Sequence, residues 1–190
     1  MAYNRYQDFK ANPVWAMILI NFLMFIATLI NRGLIINAFG LQPAGFTAHP
    51  WTIITSMFVH GGFFHIFFNM ISFYFLGTYL FRIVGENKFL IVYFGGGILG
   101  GIFYILLAFP LSIAVGASGA IFALGGALAV MRPKIQVMVF PIPVPIPLWI
   151  AVIGGFIILS FLSFIAWQAH LGGLVFGLVA GYFFKKRYFF

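Results

Sequence analysis

The sequence predicts an all-α membrane protein, a bundle of six transmembrane helices with both termini in the cytoplasm. Three observations lead there: the composition, the division of the chain into six apolar runs, and the one-sided placement of the basic residues. Of 190 residues, 64% are hydrophobic and 6% are charged, whereas a soluble domain is usually about half apolar and about a quarter charged. The ten basic residues are scattered among apolar runs and form no basic face, which excludes a nucleic-acid-binding module.

The six runs are candidate membrane spans, because a transmembrane helix needs roughly 20 mostly apolar residues. The first is expected to be a retained anchor, since it follows Asp8 and Pro13 and ends without the small-residue pattern of a cleaved signal peptide. The fourth is short for a full crossing. We expect residues 1–190 to form a single membrane domain with spans at about 14–31, 61–81, 89–108, 118–131, 147–165 and 169–184.

The basic residues set the orientation. With six spans, Arg32 alone lies on one side of the membrane, and the other nine lie on the opposite side: Arg5, Lys10, Arg82, Lys88, Arg132, Lys134, Lys185, Lys186 and Arg187. Lys and Arg are enriched in cytoplasmic loops. Both termini are therefore predicted to be cytoplasmic. With five or seven spans, the basic residues would be divided between the two sides of the membrane.

Two connections have distinctive compositions. The 27-residue stretch 33–59 is the longest loop, carries little charge, and is expected to lie in the outer membrane interface as an amphipathic element. Residues 141–147 alternate proline with aliphatic residues, which cannot form a helix. We expect an extended, polyproline-II-like cytoplasmic linker there.

Polar residues inside spans are costly and therefore mark candidate functional positions. Spans two, four and six all run from outside to inside, so polar motifs at their first residues are expected at one membrane depth. His65 and Asn69 are four residues apart and share a helical face. The three motifs are His60-Gly-Gly-Phe-Phe-His65-Ile-Phe-Phe-Asn69, Gly116-Ala-Ser118-Gly119 and Ala169-His170-Leu-Gly-Gly173.

Small residues repeat every fourth position in two of these spans. Gly119, Ala123 and Ala127 form one stripe, and Gly173, Gly177 and Gly181 form the other. Such stripes let membrane helices approach closely. Because both helices run in the same direction, packing of the stripes would bring Ser118 near His170.

These groups could perform nucleophilic catalysis. Histidine is the usual base that activates a serine, and His65, Asn69 and the backbone N–H of Ser118 could donate hydrogen bonds to an oxyanion. Gly116 and Gly119 would let a substrate backbone approach. The chain has only two acids, Asp8 and Glu86, and both are predicted away from the outer end, so the chemistry would need a Ser–His dyad.

Structural roles are the alternative for each residue. A membrane serine commonly bonds its own helix, but Ser118 alone among six serines has glycine at both −2 and +1. An interhelical polar clamp stays open for His65 and Asn69. His49 and His60 are expected to be structural hydrogen-bonders.

The three motifs, in this order, resemble the rhomboid family of intramembrane serine proteases, over all six spans. The resemblance implies that Ser118 is the nucleophile and His170 the general base, with an oxyanion hole of His65, Asn69 and the Ser118 amide. It implies a structural or gating role for His60 and no metal or cofactor. It also implies single-span membrane proteins as substrates, cut near the outer face, with membrane lipids around the enzyme.

The chain departs from the family pattern at three positions. Thr52 follows Trp51 where the family often has arginine, Phe81 stands where many members have glutamate, and Phe122 replaces a common tyrosine. Phe122 can still stack on the His170 ring. A prokaryotic inner (plasma) membrane is the expected location.

Three other functions are weighed against this one. A catalytically silent rhomboid-like protein that binds membrane clients would be expected to lack the serine or the histidine, and both are present. A metalloprotease using His60, His65 and His170 lacks the HExxH motif and is testable with a chelator. A transporter would need charged or unwound sites at the membrane midplane.

Overall fold

The computed structural model describes residues 12–139, 143–162 and 165–188, which are mostly helical. Two short 3₁₀ turns, Pro43–Gly45 and Ser56–Phe58, lie between α2 and α4, and strand β1 (Gln136–Val137) pairs antiparallel with β2 (Ile146–Pro147). The α-helices of the described residues are α1 Pro13–Ile30, α2 Arg32–Phe39, α3 Thr52–Thr55, α4 Phe63–Val84, α5 Glu86–Leu107, α6 Ser118–Met131, α7 Leu148–Ser160 and α8 Trp167–Tyr188.

Within the described residues, three helices are long and apolar enough to cross a membrane: α1, α4 and α5. Helices α6 and α7 are apolar but shorter, with 14 and 13 residues. Large apolar side chains point outward on several helices, including Leu29, Phe75 and Leu106, which are 65–72% exposed. Exposed apolar side chains on apolar helices suit a lipid environment.

The helix ends refine the predicted runs. Helix α4 extends past residue 81 to Val84 and stops at Gly85, whose φ of 79° favours glycine. Helix α7 ends at Ser160 although the apolar run continues to 165, and α8 begins at Trp167, two residues before the predicted 169. Hydropathy could not place these ends, because the sequence stays apolar across the break.

Asparagine side chains fix the start of two helices. Asn12 caps α1 by accepting a hydrogen bond from the backbone N–H of Val14, and Pro13 occupies the first helical position. Asn31 ends α1 and also caps α2, accepting from the N–H of Leu34 at 3.0 Å. The chain therefore turns sharply after the first long helix, and Arg32 begins the next one.

Helix α6 lies at the centre of the bundle, packed against α4, α5, α7 and α8. Most of its residues are buried, from Gly119 to Met131. Its contact with α8 is the predicted meeting of the two small-residue stripes. Gly173, Gly177 and Gly181 face the backbone carbonyls of Gly119, Ala123 and Ala127, and a Cβ atom at Gly181 would lie 2.6 Å from the Ala127 carbonyl oxygen.

Glycines of α5 make a second close contact with the same helix pair. A Cβ atom at Gly100 would lie 2.6 Å from the carbonyl oxygen of Ala169, and one at Gly172 would lie 2.6 Å from that of Leu99. The first turn of α8 is therefore held between α5 and α6 by contacts of main chain with main chain.

The two distinctive connections are partly ordered by hydrogen bonds. The stretch 33–59 contains α2, both 3₁₀ turns and α3, and Leu41 pairs with Ala114 in an isolated bridge. In the proline-rich linker, Val137 pairs with Ile146 in a two-stranded ladder, so this end is a β connection rather than polyproline II. Residues 140–142 lie outside the described residues.

Candidate active site

Ser118 and His170 form a hydrogen-bonded pair where α6 and α8 begin. The Ser118 hydroxyl oxygen lies 2.7 Å from Nε2 of His170. Ser118 is the first residue of α6, and His170 is in the first turn of α8, 4% exposed. The Phe122 ring lies against the imidazole, with centroids 4.6 Å apart and planes at 33°. The stripe contact thus brings together the two residues that the sequence placed at the site.

One ring nitrogen of His170 contacts the Ser118 hydroxyl, and the other is buried in the protein. When Nε2 accepts a hydrogen bond from the hydroxyl, the ring proton is on Nδ1. Nδ1 is buried and has no hydrogen-bond partner among the described residues. Glu86 begins α5 and Gly100 of that helix touches Ala169, so about 14 residues, or roughly 21 Å of helix, separate Glu86 from the site. Glu86 therefore does not contact His170.

Two hydrogen-bond donors beside the pair, on α6 and α4, could serve an oxyanion. The backbone N–H of Ser118 is among the first N–H groups of α6, which have no acceptor within the helix. Asn69 Nδ2 donates one hydrogen to the carbonyl of His65 at 2.8 Å, which leaves its second hydrogen available. Asn69 lines the same cavity as Ser118 and His170.

His65 and His60 lie beside this group. A Cβ atom at Gly116 would lie 2.6 Å from Nε2 of His65, so the ring lies directly against the loop that leads to Ser118. The ring of His60 lies 5.0 Å from that of His65, at 63°, and is fully buried. Neither histidine lines the cavity at Ser118.

The glycines of the site make close contacts within the protein, and the substrate approach predicted for Gly116 and Gly119 stays a prediction. Gly116 has φ of 120°, and its open side is filled by His65. A Cβ atom added at Gly119 would lie 3.2 Å from the carbonyl oxygen of Ala169. Gly173 faces Gly119 across the contact between α6 and α8. Packing therefore accounts for all three.

Replacing Gly116 with alanine is expected to lower both stability and activity. The backbone conformation disfavours any side chain, at about 1–3 kcal/mol, and the added methyl group would displace His65. The matched control is Gly62→Ala, where an added Cβ meets nothing within 4 Å and φ is 179°. Thermal denaturation in detergent should show a lower midpoint for Gly116→Ala only. Equal midpoints would contradict the packing argument.

A cavity of about 710 Å³ opens beside the pair. Its walls include apolar residues of α4, α6 and α7, such as Phe75, Ile121 and Val152, together with the segment 136–139. Its polar lining residues include Asn69, Ser72, Ser118 and His170. An apolar cleft with a few convergent polar groups is the usual form of a binding site. A helix as short as the fourth span can leave room for a cavity above it, but the shape of this one depends on how far α7 stands from α4.

Two hydrogen bonds to backbone carbonyls near the site follow from no pattern in the sequence. The carbonyl of Ser56 accepts a hydrogen bond from the N–H of Gly116 at 2.8 Å, which fixes the loop before Ser118. The guanidinium of Arg32 donates to the carbonyl of Gly61, just before α4. In the described part of the chain, no three His, Asp or Glu residues are grouped so that they could hold a metal ion.

Comparison with known proteins places this arrangement in a family. Residues 47–187 match the family model of the rhomboid domain. The chain belongs to the rhomboid family. With its apolar helices, this rhomboid is an integral membrane protein.

Its relatives include enzymes and a protein named inactive. It is 27% identical to mitochondrial rhomboid protein 1 of Saccharomyces cerevisiae, over 94% of this chain and 56% of that protein. It is 30% identical to rhomboid protease GluP of Bacillus subtilis, over 92% of this chain and 35% of that protein. It is 31% identical to inactive RHOMBOID-like protein 8 of Arabidopsis thaliana, over 66% of this chain and 35% of that protein. The chain thus spans about half or less of the length of these relatives.

Two of the residues that depart from the family pattern, Thr52 and Phe81, make contacts of their own in this rhomboid. Thr52 donates its hydroxyl hydrogen to the carbonyl of His49 at 2.6 Å, and the Trp51 indole donates to that of Ala38 at 3.0 Å, so side-chain bonds to the main chain tether this loop. Phe81 packs edge-on against Phe89, with ring centroids 6.0 Å apart. An aromatic contact therefore joins the end of α4 to α5.

Proposed function

We propose that this rhomboid is an intramembrane serine endopeptidase that cleaves transmembrane-helix substrates near the outer membrane face. The observation that carries the proposal is the 2.7 Å contact between the Ser118 hydroxyl oxygen and Nε2 of His170. A serine is a weak nucleophile unless a base takes its proton. This base is buried, held by the Phe122 ring, and open to a cavity that a peptide could enter.

The proposed reaction proceeds through an acyl-enzyme. His170 Nε2 takes the hydroxyl proton as Ser118 Oγ attacks the peptide carbonyl. The resulting oxyanion accepts hydrogen bonds from the Ser118 N–H, the free hydrogen of Asn69 Nδ2, and His65. The imidazolium then gives its proton to the leaving amine, and the C–N bond breaks. A water molecule, deprotonated by His170, hydrolyses the ester and frees the serine.

We further propose that six helices cross the membrane: α1, α4, α5, α6, α7 and α8. The segregation of basic residues supports this count and places both termini in the cytoplasm. Ser118 and His170 would then lie toward the outer face. A prokaryotic plasma membrane is the proposed location, and the Bacillus subtilis relative agrees with it, whereas the yeast relative is named mitochondrial.

Single-span membrane proteins are the proposed substrates. The apolar cavity walls on α4 and α7 suit side chains that arrive from lipid rather than from water. A substrate can bring a peptide bond close to Ser118 only where its backbone is extended. The preferred cleavage sites are therefore segments with small residues and low helix propensity. Membrane lipids surround the exposed apolar faces of the bundle.

The second candidate is a catalytically silent rhomboid that binds membrane clients. The Arabidopsis thaliana relative named inactive keeps this candidate open. The same cavity would serve to hold a client helix, and Ser118 would be a structural hydrogen-bonder to His170. The two candidates differ in one respect that can be measured, which is whether Ser118 is nucleophilic.

A fluorophosphonate probe tests this difference, because it labels only activated serines. Purified wild-type protein is expected to be labelled, and Ser118→Ala and His170→Ala are expected to lose the label. Ser72→Ala is the matched control, since Ser72 lines the same cavity on α4. It should label like wild type. Labelling that persists in Ser118→Ala would refute the assignment, and a folded wild type that neither labels nor cleaves a helix-destabilised peptide would favour the silent candidate.

A further inference from the structure

Arg32 connects α2 to the segment that leads into α4. Its guanidinium Nη1 donates to the backbone carbonyl of Gly61, 29 residues along the chain. Asn31 sets this position, because its side chain caps α2 and makes Arg32 the first residue of that helix. Gly61 is followed by Gly62, and α4 begins at Phe63, with His65 in its first turn and Asn69 in its second.

The contact lies where two loops of the site meet. A Cβ atom at Gly61 would lie 3.6 Å from Nη2 of Arg32 and 4.0 Å from a methyl group of Val115. Val115 precedes Gly116, whose own open side is filled by His65. The guanidinium therefore lies where two loops meet. One loop leads into α4, which bears Asn69, and the other leads into α6, which begins at Ser118.

In the part of the chain that the structure describes, the charge of Arg32 has no acidic residue nearby. Glu86 is the one acidic residue in the described part of the chain, and it follows the far end of α4, 22 residues of helix away. The bond from a guanidinium to a carbonyl is charge-assisted and stronger than a neutral one. Two adjacent glycines leave the segment 61–62 little conformational restriction of its own. The Arg32 bond supplies that restriction.

We infer that Arg32 is a positioning residue for the proposed reaction. Its guanidinium holds the Gly61 carbonyl and so fixes the first turns of α4, with Asn69, relative to Ser118. The inference rests on the proposed function. Arg32 does not touch the reacting atoms, so it acts through the oxyanion donors and should affect turnover rather than substrate binding.

The test is a kinetic comparison of full-length variants with a transmembrane peptide substrate in detergent. Arg32→Gln is expected to lower kcat about 10-fold to 100-fold, the range for misplaced catalytic groups, with KM changed less than about twofold. Arg32→Lys should recover part of the loss, since an ammonium can also donate to a carbonyl. The matched control is Arg82→Gln, which removes an exposed charge at the other end of α4 and should leave kcat unchanged.

A double-mutant cycle separates positioning from general damage. If Arg32 acts through Asn69, Arg32→Gln should lower kcat less than about threefold in an Asn69→Ala background, because coupled residues are not additive. The same fractional loss in both backgrounds would overturn the inference, as would wild-type kcat in Arg32→Gln or failure of both Arg32 variants to fold. If Ser118→Ala still cleaves, the proposed function fails; if it is inactive while Arg32→Gln turns over normally, only the positioning role fails.

Discussion

Replacing Ser118 with alanine is expected to abolish peptide hydrolysis and to leave the fold intact. The hydroxyl is the only group that the proposed reaction uses as a nucleophile, and its oxygen makes the 2.7 Å contact with His170. His170→Ala should lower kcat by about 10²–10⁴-fold, the usual contribution of a general base. Both effects are measured with a transmembrane peptide substrate and purified protein.

The control for this prediction lies in the same cavity. Ser72→Ala removes a hydroxyl from α4 without touching the dyad and should cleave at the wild-type rate. The denaturation midpoint of Ser118→Ala should match that of wild type, because Ser118 is only partly buried. Turnover by Ser118→Ala above the uncatalysed rate would mean that another group performs the chemistry.

The second large effect is expected at the contact between α6 and α8. Gly177 faces the carbonyl of Ala123 so closely that an added Cβ atom would overlap it. Gly177→Ala must therefore push the two helices apart, which moves main chain rather than a flexible side chain. Overpacking typically costs 1–3 kcal/mol, and we expect about 3 kcal/mol here, with loss of activity because Ser118 and His170 separate.

The matched control is the same substitution where there is space. An added Cβ at Gly154 of α7 meets nothing within 4 Å. Gly154→Ala should stabilise the helix by about 0.4–1 kcal/mol, because alanine loses less conformational freedom on folding. SDS titration in mixed micelles measures both variants. Opposite signs are expected, and a Gly177→Ala protein as stable as wild type would show that the stripes do not hold the pair together.

The central contact of the fold could be predicted from sequence, because it depends on a short-range rule. Small residues every fourth position define one face of a helix, and two such faces in parallel helices can meet in only a few ways. That rule placed Ser118 beside His170. The order of the helices and the distance of Glu86 from the site follow from position along the chain.

Other features depend on geometry that no local pattern encodes. The Arg32 contact joins residues 29 apart through a sharp turn at Asn31, and the bond from Gly116 to Ser56 crosses between loops. The cavity depends on the spacing of α4 and α7, two helices that do not share a stripe. Helix α7 ends at Ser160 inside an apolar run, where hydropathy does not indicate a helix end.

The length of α6 has a consequence for where hydrolysis can occur. Its 14 residues rise about 21 Å, whereas the hydrocarbon core of a bilayer is about 30 Å thick. If Arg132 after its last turn stays at one surface, the serine at its first turn lies on the order of 10 Å beneath the other. At that depth a helical substrate has no water to compete for its backbone hydrogen bonds. The proposed cleavage then depends on water reaching a site below the lipid headgroups. A thicker bilayer would place the serine deeper and should slow the cleavage.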